Sequence, residues 1–383
     1  MKSSPRIAIV HDWLDTWRGG ENVLAEILGL YPDASLFALV DFLPEELRQR
    51  LLGKRARTSF LQHVPGARRH FRALLPLFPR AIESLDLSGY DLVLSSSHAV
   101  AKGVRTGRGQ LHICYCYTPM RYAWDLQEQY LRAVGLDRGL RGWVVRRLLA
   151  RLRRWDRDAS ARVDHFVAIS RHIARRIEQC YGRNSTVIHP PVAIGNAEPN
   201  MQRGSTYLTV SRLVPYKRVD VIVSAFRLLP DRNLVVVGDG PERARVEAAT
   251  GPNVRLLGHL ADMERDRWLA TARAFLFAAE EDFGIAPVEA QARGTPVIAL
   301  GRGGAVDTIR GLDNATPTGV LFFEQTPEAV AAAVRLFELN EHCITGAACR
   351  ENAQRFSAER FRQEFVAFVD ERWREFEQSA PTP

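Results

Sequence analysis

The chain has 383 residues, 46% hydrophobic, 25% charged and 9% aromatic, the make-up of a folded enzyme or binding protein, which excludes disordered, collagen-like and disulfide-stapled classes. At roughly 100 to 200 residues per domain the length holds two or three domains, each able to bury a core. The net charge of +8 is uneven: residues 1–190 carry 30 Lys and Arg against 18 Asp and Glu, residues 191–383 carry 22 against 26, so the first half is suited to meet an anionic membrane, a nucleic acid or a phosphorylated substrate.

Short apolar runs bounded by turn residues predict strands over residues 7–10, 36–40, 92–95, 111–115, 166–169 and 186–189, with helices from Glu21 and Ser170. After Pro190-Pro191 and an aperiodic stretch over 195–205, which reads as a linker, strands are predicted at 207–210, 234–237, 254–257, 275–278, 297–300 and 320–323. Helices between them start at Val219, Glu242, Asp262, Ala286 and Pro327. Such alternation predicts an α/β fold of two Rossmann-like domains, each with a parallel sheet covered on both faces. The expected division is 1–190, 191–357 and a helix with a short tail over 358–383. Ligands of open α/β sheets bind beyond the carboxyl ends of the strands, so two such domains facing each other would place the site in a cleft.

The five cysteines, Cys114, Cys116, Cys180, Cys343 and Cys349, are odd in number and scattered, as expected of free thiols in a reducing compartment. No His or second Cys pair completes a zinc set around Cys114 and Cys116. The N-terminus runs into a strand without the apolar region of a secretory signal, and no stretch approaches ~18 uncharged apolar residues. The expected address is the cytoplasm, with peripheral contact to the inner face of the cytoplasmic membrane as an added option.

Chemistry-bearing residues gather at strand ends. Gly19 and Gly20 open a helix after the first strand, where paired glycines and free N–H groups suit a bulky anion as well as an ordinary turn. The sequence S-S-S-H-A-V-A-K-G sets His98 at the end of the third predicted strand, open to a structural role or to contact with a substrate hydroxyl. In V-S-R-L-V-P-Y-K-R-V-D, Arg212 and Lys217 share one loop, a fork and a point charge suited to a diphosphate. In E-E-D-F-G-I-A-P-V-E-A, Glu281 and Glu289 lie eight apart around Phe283, Gly284 and Ile285, whose N–H groups could cradle a phosphate or sugar. Two carboxylates in a phosphate site are costly unless each binds hydroxyls, which a nucleotide sugar offers at both ends. The turns G-D-G-P, containing Gly240, and G-R-G-G could border a nucleobase and help close the pocket.

Asp156-Arg-Asp158 is the one D-x-D sequence, but alternate residues on a helix point about 200° apart and cannot chelate one ion, so no metal is expected. Residues 138–157 read as a basic amphipathic helix, with Leu140, Val144, Leu148, Leu152 and Trp155 at helical spacing among arginines. It is either a core-packed helix with a solvated face or a docking element for an anionic membrane surface. No nucleic-acid motif accompanies the charge.

In this order, the Arg-x4-Lys loop, G-D-G-P, the two glutamates, G-T-P-V-I-A and G-R-G-G resemble the retaining glycosyltransferases of family four with the GT-B fold, over nearly the whole chain. The resemblance implies catalytic roles for Glu281, His98, Arg212 and Lys217. It implies donor contacts from Gly19, Gly20, Gly240, Phe283, Gly284, Ile285 and Glu289, and a terminal helix crossing back to the first domain. Asp307 stands where many relatives carry Glu. H-D-W-L, S-S-H-A-V-A-K-G and C-Y-T-P-M-R-Y-A-W-D are similar to bacterial mannosyltransferases of O-antigen and other surface polysaccharides. This implies GDP-mannose as donor, no cofactor, and a glycan or undecaprenyl-diphosphate-linked acceptor, met by Tyr117, Arg121, Tyr122, Trp124 and Asp125. The alternatives are a UDP-sugar donor, a sugar-nucleotide epimerase and a non-catalytic nucleotide-sugar-binding protein.

Overall fold

The structure is a computed structural model that describes residues 5–124, 139–195 and 203–379. It divides into two compact units, Met1–Pro191 with Phe361–Pro383, and Val192–Arg360.

The first unit holds a seven-stranded sheet: β1 Ile7–His11, β2 Ser35–Ala38, β3 Arg57–Thr58, β4 Leu92–Ser97, β5 Leu111–Cys116, β6 His165–Ala168 and β7 Ser185–Val187. Its order is β3-β2-β1-β4-β5-β6-β7, and every pairing is parallel. The second unit holds β8 Tyr207–Val210, β9 Leu234–Val237, β10 Val254–Gly258, β11 Phe275–Phe277, β12 Val297–Leu300 and β13 Gly319–Phe322, in the order β10-β9-β8-β11-β12-β13. Both orders reverse once, between β1 and β4 and between β8 and β11. Those reversals open a crevice at the carboxyl ends of the strands, where ligands of this architecture bind.

Burial on both faces explains the continuous apolar runs. Leu234 and Val236 of β9 enter one core, with Tyr207, Phe226 and Phe337; Val235 and Val237 enter the other, with Phe275 and Phe277. That is the period of two of a strand sandwiched between helical layers. In the first unit, Phe71, Phe78 and Ile82, from short turns too irregular to show a period, pack with Leu149 and Leu152 of the helix Gly139–Ser160.

The last helix, Ala358–Ser379, lays Phe361 and Phe365 edge-on against Tyr115 of β5, with ring centroids 5.7 and 5.9 Å away. Arg362 pairs with Glu26 at 2.8 Å. These contacts place its length from Phe361 onward in the first unit.

The basic helix departs from the expected single apolar stripe. Leu152 is buried in the core and Trp155 is half-buried, its Nε1 donating to Glu83 at 2.8 Å. Val144 and Leu148 instead lie exposed beside Trp143. The side chain of Leu140 and residue 138 lie outside the described residues. The D-x-D pair does point apart: Asp156 is wholly buried and Asp158 exposed.

Candidate active site

In the second unit the site begins at the sheet reversal. The loop after β8 carries Arg212 and Lys217, and the loop after β11 carries Glu281. Lys217 and Glu281 form an ion pair, each side chain about one-fifth exposed. The Lys217 ammonium also lies 5.8 Å from the Phe277 and Tyr216 ring centroids. Arg212 is exposed, and its guanidinium is paired with no other described residue. Arg218 adopts a left-handed φ of 52° at the start of the helix Val219–Phe226, and Gln325 Oε1 accepts from it at 3.4 Å. Gln325 Nε2 in turn donates to the Ala278 carbonyl at 2.8 Å, so one side chain ties the two loops together.

Gly284, with φ of 89°, caps the helix Ile285–Ala292, a left-handed position that favours glycine. The N–H groups of the first turn of this helix follow directly on the loop that carries Glu281, and the N-terminal end of a helix favours an anion. Phe283 is buried against Phe356, centroids 5.5 Å apart. Glu289 sits half-buried on this helix, and burial pushes its carboxyl pKa up, although Arg265 and Arg293 pull the other way. Its carboxylate oxygens accept no hydrogen bond from any described residue, which leaves their acceptor capacity unused within the described residues.

The two glycine turns act on the loops rather than on open space. A Cβ at Gly240 would lie 2.3 Å from the Leu213 carbonyl oxygen, inside the loop that carries Arg212 and Lys217. A Cβ at Gly303 would lie 2.2 Å from the Glu281 carbonyl oxygen, and one at Gly304 2.3 Å from Phe283 Cα. The Gly304 N–H also donates to the Glu281 carbonyl at 2.7 Å. Each turn is thus the die against which a site loop is pressed.

In the first unit Gly19 and Gly20 begin the helix Gly19–Leu30. The Arg18 N–H donates to Glu21 Oε2 at 2.8 Å, closing its first turn. Beneath it, the wholly buried His11 shares a hydrogen bond with Ser96 Oγ at 3.0 Å, and Ser96 Oγ with Tyr117 OH at 2.9 Å. Tyr117 OH donates to the Gly20 carbonyl at 3.0 Å. A Cβ at Gly20 would make only ordinary contacts, at 3.7 Å from His11 and Tyr117, so the fold itself does not demand glycine there.

Two family models match the chain in tandem, "Glycosyltransferase Family 4" over residues 37–195 and "Glycosyl transferases group 1" over residues 196–356. The chain belongs to the family 4, group 1 glycosyltransferases, with the GT-B fold. It is 30% identical over 184 residues to the GDP-mannose-dependent monoacylated alpha-(1-6)-phosphatidylinositol monomannoside mannosyltransferase of Corynebacterium glutamicum, covering 40% of this chain and 48% of that protein. It is 34% identical over 162 residues to the D-inositol 3-phosphate glycosyltransferase of Mycolicibacterium gilvum, 39% of this chain and 35% of that protein. The chain therefore spans less than half the length of these curated relatives. Anabaena HepE, solved in complex with UDP, shares the fold at a TM-score of 0.66 and 18% identity over 96% of this chain and all of that one.

Within this family 4 protein the expected site residues fall into separate groups. Arg212, Lys217, Glu281, Phe283, Gly284, Ile285 and Glu289 gather at one sheet's reversal, and Gly19, Gly20 and His98 at the other's. Among the acceptor candidates, Tyr117 gives its hydroxyl to Gly20, and Trp124 gives Nε1 to Asp156 at 2.8 Å. Those two polar tips brace the first unit. Arg121 and Tyr122 are half-buried beside them, and Asp125 lies outside the described residues. Asp12, unassigned by sequence, touches His98 directly. Among the described residues no group of three or more His, Cys, Asp or Glu is placed to hold a metal ion.

Glu289→Gln should separate binding from stability. Because the Glu289 pKa is raised, its ionised form at neutral pH works against folding, and that penalty grows as pH rises from the unfolded value through the folded one. The variant should melt at or above the wild-type temperature while losing about tenfold in affinity for a hydroxyl-bearing ligand at this position, the order of one hydrogen bond to a charged group. Calorimetric melting and titration check the two halves; a lower melting temperature with intact affinity would contradict both.

Proposed function

We propose that the protein is a retaining mannosyltransferase that moves mannose from GDP-mannose to a hydroxyl of a lipid-linked or polysaccharide-precursor glycan without a metal ion. The observation that carries this reading is the convergence of Arg212, Lys217, Glu281 and the first turn of the helix Ile285–Ala292 at the reversal of the second sheet. The C. glutamicum relative, named for GDP-mannose and mannosyl transfer, supports the choice of donor.

In this reading Arg212 and Lys217 face the donor diphosphate and Glu289 the ribose. Glu281 orients the transferred sugar and balances positive charge developing at its anomeric carbon. Negative charge grows on the leaving phosphate as the glycosidic bond breaks, and cations already fixed there stabilise it most. The acceptor hydroxyl arrives on the same face, and the departing phosphate takes its proton, so no protein base is required. Gly19 and Gly20 are further donor contacts in this reading, as the family resemblance implies, and Arg121 and Tyr122 acceptor contacts.

A thermal-shift panel of GDP, UDP, GDP-mannose, UDP-glucose and UDP-N-acetylglucosamine tests the donor, since a ligand at 100 times its Kd stabilises by about 2.7 kcal/mol. Stabilisation by GDP and GDP-mannose is expected. A UDP preference would sink the mannose assignment, and a silent panel would favour a non-catalytic role. Turnover of donor with no acceptor and no transfer would point to an epimerase.

The acceptor's lipid link is supported by the helix Gly139–Ser160, which exposes Trp143, Val144 and Leu148 among Arg147, Arg151 and Arg154. No helix among the described residues is long and apolar enough to cross a membrane, whereas a cationic face with an apolar centre suits the surface of an anionic leaflet. At about 1 kcal/mol per cation, the triple replacement of Arg147, Arg151 and Arg154 by Ala should weaken binding to phosphatidylglycerol vesicles by about two orders of magnitude. Co-sedimentation measures it, and unchanged binding would remove the membrane from this reading.

A further inference from the structure

At the reversal of the first sheet, the loop after β1 carries a carboxylate with an unusual set of partners. Asp12 is wholly buried. Its oxygens accept from four successive backbone N–H groups, those of His98 at 2.6 Å, Ala99 at 3.0 Å, Val100 at 2.6 Å and Ala101 at 2.7 Å. Oδ2 also lies 2.9 Å from His98 Nδ1. This carboxylate therefore fixes the turn after β4 and, at the same time, the ring of its first residue.

The ring is held in plane as well. Trp13, the neighbour of Asp12, packs edge-on against it with centroids 4.6 Å apart. About one-third of the His98 side chain remains exposed, and with Nδ1 committed to Asp12 the ring nitrogen left for a ligand is Nε2. A carboxylate that bonds one imidazole nitrogen sets which proton the other can give or take.

We propose that Asp12 is the positioning residue of His98: it holds the proton on Nδ1 and fixes the ring, so that the charged imidazole offers Nε2–H to an electron-rich oxygen of the substrate. The substrate half rests on the nucleotide-sugar reading above; the pairing itself does not. In the charged ring both nitrogens are donors, so Nε2 serves an oxygen that carries negative charge or lone pairs.

The groups around the imidazole favour that state. Burial opposes its charge, but the Asp12 carboxylate outweighs burial, Glu21 adds to it and Lys102 subtracts, leaving the His98 pKa above its ordinary value. Burial likewise opposes ionisation of Asp12, yet the charge and hydrogen bond of His98 pull its pKa far down. Glu21 is also held below its usual range: burial opposes its charge, but hydrogen bonding and charge from His11 prevail. Lys102 is itself paired with Asp156 at 2.6 Å. His11 and Tyr117 lie near it as well, with ring centroids 6.2 and 6.4 Å away, and burial pushes the Tyr117 hydroxyl up so that it stays neutral. With the folded pKa raised, the donor form is complete below about pH 6.5 and is lost as pH climbs through the higher folded value.

Nitrogen-15 NMR of the imidazoles in the full chain, with His98→Asn to assign the signal, tests the pairing without any substrate. A pKa above about 6.5 and a neutral form protonated on Nδ1 are expected. Asp12→Asn should lower that pKa, move the alkaline fall of kcat/KM to lower pH and reduce kcat/KM by about tenfold or more. A wild-type His98 titrating at or below the ordinary value, or protonated on Nε2 when neutral, overturns the proposal; so does a folded Asp12→Asn protein with an unmoved pH profile. If that variant does not fold, the wild-type titration decides. A silent nucleotide-sugar panel would defeat the function reading and the substrate half together, whereas a responsive panel with an ordinary His98 would defeat only this proposal.

Discussion

Lys217→Ala is expected to reduce kcat/KM by about two to three orders of magnitude, the scale seen when one fixed donor is withdrawn from developing anionic charge. The side chain is ionically paired with Glu281 and lies against the Phe277 and Tyr216 rings, so its position is set before any ligand arrives. Because both partners of the pair keep some exposure, removing the lysine leaves a carboxylate that water can reach. The melting temperature should therefore stay near that of the wild type, as for other partly exposed pairs worth about 1 kcal/mol or less. Lys217→Arg should recover only part of the loss, since a planar fork does not reproduce a compact ammonium. Glu281→Gln should also depress transfer, through kcat more than through donor affinity, because its partner then meets the diphosphate unopposed. Steady-state kinetics with melting curves check this. Near-normal activity in both Lys217→Ala and Glu281→Gln would show that transfer occurs elsewhere.

The loops that carry the candidate site residues are legible in the sequence for a specific physical reason. Strands buried on both faces leave uninterrupted apolar runs, so β8, β9 and β12 have the bounds that their hydrophobic residues predict, and the site loops begin where those runs stop. Arg57–Thr58 gives no such signal, because a two-residue edge strand paired to β2 is too short to carry an apolar run. The first helix starts at Gly19 and not Glu21, since paired glycines read as a turn while the Arg18 N–H bond to Glu21 closes a helical one. Asp12 was invisible for a different reason: its partners are mostly backbone N–H groups more than eighty positions away, and backbone carries no sequence signature. The same holds for Gly240 and Gly303, whose neighbours are the carbonyl oxygens of Leu213 and Glu281. Their Gly-rich turns are read from sequence as bordering a nucleobase and helping to close a pocket, and the fold also packs them against the loops that bear the charged groups.

Asp156→Ala is expected to destabilise the first unit by about 3–5 kcal/mol, the usual result of leaving a buried charge without its partner. Asp156 and Lys102 are both fully excluded from solvent and 2.6 Å apart. The same carboxylate accepts from Trp124 Nε1 at 2.8 Å and Tyr181 OH at 2.7 Å, so three donors lose their acceptor at once. For a domain of this size about 2–4 °C of melting temperature accompanies each kcal/mol, which makes a fall of about 10 °C the expected reading in calorimetry. Adding Lys102→Met to the variant should restore part of that, because a neutral chain of similar length no longer needs a counter-ion. A single variant melting within 2 °C of the wild type would show that Lys102 finds another partner or is neutral. The effect should also reach the site. Lys102 closes the turn that begins at His98, its ammonium donating to the Ala99 carbonyl at 2.7 Å, while Asp12 grips the N–H groups of the same turn from the other side. Asp156 lies on the helix whose exposed face carries Trp143, Arg147 and Arg151, and it binds Trp124 in the segment read as the acceptor side. A folded but loosened Asp156 variant should therefore lose acceptor-dependent transfer before it loses stabilisation by GDP, since Lys217, Glu281 and Glu289, the residues proposed to hold the donor, belong to the other unit.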